Sequence, residues 1–328
     1  MISKTKNMTS LAIGFILKGT RYDYRILALI GGNALRTTTV FQAEVISEAM
    51  IKIVSTSHPE DMESMRCEVG VYGYPNVATA DCFRRLYEVL DNRTMVFEWL
   101  DTTLAEVPFQ PTPDCYALIL AVLRAALRSC VHLESHRRVN ADIQPTNILI
   151  SNLNTDRLIV KIGDLGHVLQ THRTTNTQPL LTRAPEVFLN NPCTPASHVW
   201  SIGATLLYWL NPTIIGPEDG FTLPVNEAWC MAKLKRLFPQ WQIPVPEEEE
   251  AVMGPMLRYR FQMARYLAQN EDLASRMPLR RELDRMRLPF ALIELLCLML
   301  EVWPQCRPSA RGVLGSAELS FWEDFVRE

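Results

Sequence analysis

The segment VNADIQPTNILI, residues 139–150, carries side chains that bind metals or move protons. Asp142 and Asn147 stand five residues apart, and an apolar run follows them. A second apolar run, IVKIGDLGHV, leads to Asp164 just before a Gly turn. Carboxylate and amide oxygens, together with phosphate, are the ligands that Mg²⁺ prefers. The sequence therefore predicts that Asn147 and Asp164 hold a metal, while Asp142 orients a hydroxyl nucleophile and takes its proton.

A lysine on an apolar strand adds a cation to this set. Lys52 stands in AMIK, and a charge among apolar neighbours requires an anion or solvent. Glu68, on the helix predicted to follow, is a natural partner for it. Taken alone, Lys52 is typical of a strand-end lysine and Glu68 of an exposed helix residue, so their pairing is a hypothesis.

The elements that position these residues divide the chain into two parts. Up to about residue 100, β-branched and aromatic runs predict strands at YRILALI, TTTVFQAEVI, AMIKIV and TMVFEWL. One helix is predicted among them, PEDMESMRCEVGVY, with acidic residues in its first turn. Helical periodicity dominates afterwards, at 115–133, 197–210, 291–302 and from Ala317.

Composition limits the class of protein. The 328 residues are 48% hydrophobic, enough for two lobes with a core each, and predict a soluble globular protein. The formal net charge of −3 gives no indication of nucleic-acid or membrane binding, and the acidic run Glu247–Glu250 is typical of a solvated loop. The apolar stretch YALILAVLRAALRSCV contains two arginines and is too short to span a bilayer, so a buried helix is expected. Eight cysteines without a CxxC pair, and no secretory signal, predict reduced thiols in an intracellular protein, cytoplasmic or nuclear.

Seven motifs occur in the order typical of one family. AMIK resembles a strand-lysine motif, MVFEWL a hinge preceded by the gatekeeper Phe97, NADIQPTN a catalytic loop, and DLG the metal-binding DFG. RAPEV, HVWSIG and PQCRPSA follow as the end of an activation segment, a buried helix and a closing arginine motif. The chain therefore resembles a eukaryotic protein kinase over most of its length. DLG, Arg183 and MVFEWLDTTL are similar to a fungal group related to the SR-protein kinases.

The resemblance implies an α+β, bilobal fold. It implies an N-terminal extension at 1–20, a β-rich N-lobe with one key helix at 21–99, and a mainly α-helical C-lobe at 100–328. An insert at 212–289 would enlarge the C-lobe. ATP would bind between the lobes, and a protein substrate would present the accepting hydroxyl.

The same resemblance implies a role for each motif residue. Lys52 would hold the α- and β-phosphates of ATP and pair with Glu68, and Asp142 would be the catalytic base. Asn147 and Asp164 would bind Mg²⁺.

Further positions would contact the nucleotide or stabilise the fold. Gly31, Gly32 and Val40 would cover the nucleotide, and Glu98 to Leu100 would offer backbone hydrogen bonds to adenine. Glu186 and Arg307 would form a structural ion pair.

Several positions depart from the family pattern. The three glycines expected before Val40 are replaced by Asn33, Leu35 and Thr38, and Met50 replaces a small residue against adenine. Backbone amides would then approach phosphate less closely, and the nucleotide would be crowded.

The catalytic loop departs further. Asn140 and Ala141 replace its His and Arg, and without that Arg phospho-activation through Thr171, Thr174, Thr175 or Thr177 is not expected. Gln144 replaces the Lys that neutralises the transferring phosphoryl group. Losing this charge-assisted contact would cost roughly 3 kcal/mol, about a hundredfold in rate. His198 replaces an Asp that ties down the catalytic loop, and a neutral imidazole would keep the tie in altered form.

Three functions are compatible with these residues. The leading interpretation is a Ser/Thr protein kinase of reduced activity, because DIQP resembles the DIKP form of such kinases. The alternative is a pseudokinase that binds nucleotide weakly or docks partners. A small-molecule phosphotransferase would share the acidic residues but would leave RAPEV and PQCRPSA unexplained. In the insert, NEAWCMAKLKRLFPQW is expected to pack on the C-lobe core, with a protein-docking face as the sharper alternative.

Overall fold

The computed structural model describes residues 12–31, 38–44, 48–55, 57–171, 178–217, 225–245, 254–269 and 277–328. Some positions discussed above lie outside the described residues: Gly32, Asn33, Leu35, Thr174, Thr175, Thr177 and Glu247–Glu250. The chain forms two compact units. Unit 1 is Met1–Asp101 with Gly163–Val168, and unit 2 is Thr102–Ile162 with Leu169–Glu328.

Unit 1 is built on a six-stranded antiparallel sheet. In chain order its strands are β1 (Ile16–Lys18), β2 (Asp23–Gly31), β3 (Thr38–Glu44), β4 (Glu48–Val54), β5 (Leu86–Val89) and β6 (Thr94–Glu98). Their order in the sheet is β1-β2-β3-β4-β6-β5. The core of the sheet contains the buried side chains Tyr24, Ile26, Phe41, Ile51 and Val96. β5 was not predicted from sequence, because LYEV is short and lies between charged and turn residues.

Two helices, α1 (Pro59–Tyr72) and α2 (Pro75–Ala78), connect β4 to β5. α1 begins with Pro59 at its first turn, where a missing N–H costs nothing, and Glu60 and Asp61 complement the helix dipole. It ends where the backbone N–H of Gly73 donates to the carbonyls of the last turn. These signals place α1 as the sequence predicted, and α1 carries Glu68 on its buried face.

Unit 2 is mainly helical. Its helices are α3 (Pro113–Glu134), α4 (Pro185–Phe188), α5 (Pro195–Leu210), α6 (Asn226–Leu237), α7 (Pro255–Leu267), α8 (Leu279–Arg285), α9 (Phe290–Met299), α10 (Ala310–Leu314) and α11 (Ala317–Arg327). The hydroxyl of Thr112 caps α3, and Thr194 with Ser197 forms a capping box on α5. Short strands complete the unit: β7 (Thr102–Thr103), β8 (Arg138–Asn140), β9 (Ile148–Ser151) and β10 (Ile159–Ile162), while β11 (Val168–Gln170) crosses the unit boundary.

α3 forms the core of unit 2. Within the described residues it is the one helix whose length and composition would allow it to cross a membrane, and 61% of its apolar window is buried inside the protein. It packs against α5, α10 and α11, and Arg124 on it pairs with Glu323 at 2.8 Å. These contacts favour a core helix. All eight cysteines are free thiols in this structure.

Candidate active site

Three charged side chains meet in unit 1. Lys52 Nζ, on β4, donates to Glu68 Oε2 of α1 at 2.9 Å and to Asp164 Oδ1 at 3.1 Å. The other oxygen of Glu68 accepts the backbone N–H of Leu165 at 3.2 Å. Lys52 therefore bridges two carboxylates, and Glu68 connects α1 to the segment that follows Asp164.

Burial and charge act in opposite directions on these groups. Burial alone would lower the pKa of Lys52, but the two carboxylates outweigh it and raise that pKa above its usual value. Burial raises the pKa of Glu68, and Lys52 opposes the rise. Burial likewise would raise the pKa of Asp164, but the ammonium of Lys52 lowers it. Lys52 thus stays cationic and Asp164 stays anionic at neutral pH, as phosphate and metal binding require.

The backbone at Asp164 is strained. Its φ of 49° lies in the left-handed region, which is uncommon for residues other than glycine, although Asp tolerates it better than most. Two residues later, Gly166 packs so closely on α1 that an added Cβ would lie 2.1 Å from Ser64 Oγ and 3.3 Å from Asp164 Oδ1. The glycine of DLG is therefore needed for packing, and it fixes the position of the Asp164 carboxylate.

Arg84 is a contact that sequence reasoning missed. Its Nε donates to the carbonyl of Glu98 at 2.7 Å, and its guanidinium lies over the Phe97 ring at 5.5 Å. Its own carbonyl accepts the hydroxyl of Tyr72 at 2.7 Å. Burial lowers the pKa of Arg84 to about 10, against the opposing charge of Glu68 and Glu98. No local pattern predicts this side chain, because CFRRLYEV contains two adjacent arginines of which only tertiary packing selects one.

The remaining predicted nucleotide contacts of unit 1 lie on or beside its sheet. Gly31 ends β2 and pairs with Val40 of β3, and Val40 also pairs with Lys52. Met50 is buried and pairs with Phe97 of β6. Leu100 is buried just after β6.

In unit 2, two side-chain amides hold the carboxylate of Asp142. Gln144 Nε2 donates to Asp142 Oδ1 at 2.7 Å, and Asn147 Nδ2 donates to Asp142 Oδ2 at 2.8 Å and to its carbonyl at 2.9 Å. The side chain of Asn140 accepts the backbone N–H of Asp142 at 2.9 Å. Since the Nδ2 of Asn147 is used in this way, the opposite Oδ1 is the atom that a metal would find.

α5 positions this loop differently from the expectation. The imidazole Nε2 of His198 is buried without a hydrogen-bond partner among the described residues, so it makes no tie to the loop. Instead the hydroxyl of Thr205, two turns further along α5, lies 3.1 Å from the carbonyl oxygen of Ile143 and 2.7 Å from that of Ser201, so its single proton is shared between these two acceptors. Thr205 is thus a positioning residue that the sequence did not reveal.

A buried ion pair supports the segment that includes α4. Arg307 Nη1 and Nη2 donate to the two oxygens of Glu186 at 2.8 and 3.1 Å, and the Arg307 side chain is fully buried. Arg307 also lies over the Trp200 ring at 5.1 Å. The pairing predicted from RAPEV and PQCRPSA is present.

The donor atoms suit a hard divalent cation. Asp164 offers a carboxylate kept anionic by Lys52, and Asn147 offers an amide oxygen, which is the donor set that Mg²⁺ prefers. Within the described parts of the chain, no group of three or more His, Cys, Asp or Glu side chains could hold a metal ion by itself. Each of these two donor oxygens, one in unit 1 and one in unit 2, is of the kind that magnesium prefers.

The geometry agrees with a comparison against known protein families. Residues 31–317 match the model described as the protein kinase domain. The chain belongs to the protein kinase domain family. As a kinase domain it is an α+β protein whose family in general uses ATP with a divalent metal. The resemblance inferred from the motifs is confirmed.

The chain is also similar in sequence to individual curated kinases. The chain is 27% identical to homeodomain-interacting protein kinase 1 of Mus musculus over 274 residues, which are 73% of this chain and 22% of the relative. It is 26% identical to homeodomain-interacting protein kinase 2 of Mesocricetus auratus over 195 residues, 56% of this chain and 16% of the relative. The chain thus spans about a fifth of the length of the curated relatives that it matches.

Proposed function

We propose that this kinase domain transfers the γ-phosphate of ATP to a Ser or Thr hydroxyl of a protein, in the presence of Mg²⁺ and at a reduced rate. The observation that carries the proposal is the placement of Lys52, where it bridges Glu68 and Asp164. Two carboxylates keep this lysine protonated and hold its ammonium in place, so it can bind phosphate oxygens. The similarity to homeodomain-interacting protein kinases supports the same activity.

Each residue contributes one step. Lys52 binds the α- and β-phosphates, and Gly31, Gly32 and Val40 cover the nucleotide. Asp142 accepts the proton of the substrate hydroxyl as that oxygen attacks the γ-phosphorus and the bond to the β-phosphate oxygen breaks.

The remaining contacts fix the nucleotide and its charge. Asn147 and Asp164 hold Mg²⁺, which supplies charge neutralisation on the phosphates when bound. Backbone groups at Glu98 and Leu100 contact adenine. Because Arg84 already donates to the Glu98 carbonyl, we expect that carbonyl to be a weaker acceptor for the adenine amino group.

Gln144 limits the rate in this proposal. Its amide donates to the Asp142 carboxylate, so it stands at the reacting end of the loop but brings no charge. A lysine there would neutralise the transferring phosphoryl group, so we expect Gln144→Lys to accelerate transfer up to about a hundredfold.

A pseudokinase is the second candidate, favoured by Gln144 and Ala141. We assign the domain boundaries, the intracellular location and the docking role of the insert at 212–289 to the same level of proposal.

The test is transfer of label from γ-labelled ATP with Mg²⁺ to a generic Ser/Thr protein substrate. We expect slow transfer that is lost in Asp164→Asn and faster in Gln144→Lys. The absence of label transfer by both the wild type and Gln144→Lys would refute the enzyme proposal. Thermal stabilisation by millimolar MgATP, measured on the same samples, then separates a nucleotide-binding pseudokinase from a domain that binds none.

A further inference from the structure

A basic pocket lies in unit 2, within the segment 212–289. It has a volume of about 500 Å³ and is lined by the ends of α6 and α7, by the segment after α6 and by Pro278. Three of its lining residues are cations: Lys235, Arg236 and Arg265. None of the lining residues within the described part of the chain is acidic. This volume is within the range of small-molecule sites.

The cations of the basic pocket contact neutral acceptors. Lys235 Nζ donates to the carbonyl of Pro239 at 2.7 Å and to Gln242 Oε1 at 3.2 Å. Arg236 Nη2 donates to the carbonyl of Ala268, but its Nε is buried without a partner among the described residues. Arg265 is exposed and makes no ion pair within the described ranges. Three positive charges therefore share one cavity with no described carboxylate to neutralise them.

Helix termini explain each cation singly but not the group. Lys235 and Arg236 stand in the last turn of α6, and Arg265 in the last turn of α7, where cations complement the helix dipole. The helix dipole does not require a cavity, and it does not explain why the Nε of Arg236 has no described hydrogen-bond partner. Burial, together with the charge of Arg236, lowers the pKa of Lys235. An anion in the pocket would oppose both effects and would accept the orphaned N–H.

We propose that the basic pocket binds a phosphate monoester through Lys235, Arg236 and Arg265. A phosphate dianion offers three acceptor oxygens to the three cations and accepts two parallel hydrogen bonds from a guanidinium fork. The apolar side chains of Ile243 and Pro278 line the same cavity and would contact the group that carries the phosphate. Two sources share this chemistry, a phosphorylated protein segment and a free phosphate ester.

The test measures binding by calorimetry on the full chain, without nucleotide or metal. The probes are free phosphoserine, a short phosphoserine peptide and its unphosphorylated twin. The variants are Lys235→Gln and Arg265→Gln, and the matched control is Arg258→Gln, which removes the same charge from α7 two turns away from Arg265 and outside the pocket lining. We expect both pocket variants to weaken binding tenfold or more and the control to leave it unchanged.

Competition with ATP tests whether the probe binds in the proposed nucleotide site instead of the basic pocket. Probe bound in the basic pocket persists with saturating ATP and in Lys52→Met, so a failure of either proposal is seen separately. Tighter binding of the phosphopeptide than of free phosphoserine assigns the ligand to a protein, and equal or weaker binding assigns it to a soluble ester. No binding at millimolar probe, an equal loss in Arg258→Gln, displacement by ATP, or equal affinity for the unphosphorylated peptide would each overturn the proposal.

Discussion

Replacing Glu186 by Gln removes one charge from the buried pair with Arg307 and keeps the shape of the side chain. The wild-type distances are 2.8 and 3.1 Å, with side-chain exposures of 0% for Arg307 and 8% for Glu186. At an effective dielectric constant of about 20, charges about 4 Å apart attract by about 4 kcal/mol. Arg307 keeps three acceptors in the variant, the carbonyls of Glu301, Ala196 and Val302, so its charge is not wholly uncompensated.

We therefore expect Glu186→Gln to lower the free energy of unfolding of unit 2 by about 3 kcal/mol, at the lower end of the range for breaking a buried pair. In a protein of this size that corresponds to a fall in Tm of about 6 °C or more. The assay is thermal unfolding followed by circular dichroism. Asp324→Asn is the matched control, because the Asp324–Arg327 pair has 67% exposure on both sides and should shift Tm by about 1 °C or less.

A double variant tests the reasoning itself. When Arg307→Met is combined with Glu186→Gln, neither position of the pair carries a buried charge. Part of the lost free energy of unfolding should then return. A fall in Tm no larger for Glu186→Gln than for the Asp324→Asn control would refute the account, as would a double variant much less stable than either single one.

Three further perturbations have defined outcomes. Burial lowers the pKa of His198 to about 3. Above the unfolded-state pKa of about 6.5, His198 is neutral in both states and does not change the free energy of unfolding. Below it, only the unfolded state gains a proton, so the free energy of unfolding falls as pH falls towards 3, by about 2 kcal/mol at pH 5. Unfolding free energies of wild type and His198→Gln between pH 5 and 7 should therefore diverge as pH falls, and parallel curves would contradict this. Gly166→Ala should cost about 1–3 kcal/mol and weaken MgATP-dependent stabilisation, since its Cβ would meet Ser64 Oγ at 2.1 Å. Adding Ser64→Ala should restore part of the free energy of unfolding and part of the MgATP-dependent stabilisation. A Gly166→Ala domain as stable as the wild type would show that α1 can shift without an energetic cost. Tyr24→Phe removes a buried 2.5 Å hydrogen bond to Glu88 and should cost about 1.5–3 kcal/mol in chemical denaturation, whereas an unchanged midpoint would mean that the Thr20 contacts suffice.

Local signals made much of the fold predictable. Acidic residues in the first turn of PEDMESMRCEVGVY placed α1 from sequence, and helical periodicity at 115–133 and 197–210 indicated α3 and α5. The four long strands of unit 1 are equally clear, because their β-branched and aromatic runs are bounded by charges or turns. β5 and the separate helices of the insert were missed, because four-residue runs and mixed charge patterns carry little periodicity.

The candidate site divides in the same way. Residue type and spacing alone indicated Asp142, Asn147 and Asp164, since few side chains hold Mg²⁺ or accept a proton, and motif order supplied Lys52 and Glu68. The sequence predicted the pair of Lys52 with Glu68, and the structure adds the contact of Lys52 with Asp164, which no motif indicated.

The tertiary structure alone decided the supporting contacts. Arg84 at the Glu98 carbonyl, Thr205 at the catalytic loop and the cations of the basic pocket each depend on which distant segments pack together. Hydrogen bonds and ion pairs act over a few ångströms of space, whatever the separation along the chain. The sequence by itself determined the family and indicated the candidate reacting groups, because both follow from side-chain chemistry in a fixed order. Only packing decided which neighbours orient those groups.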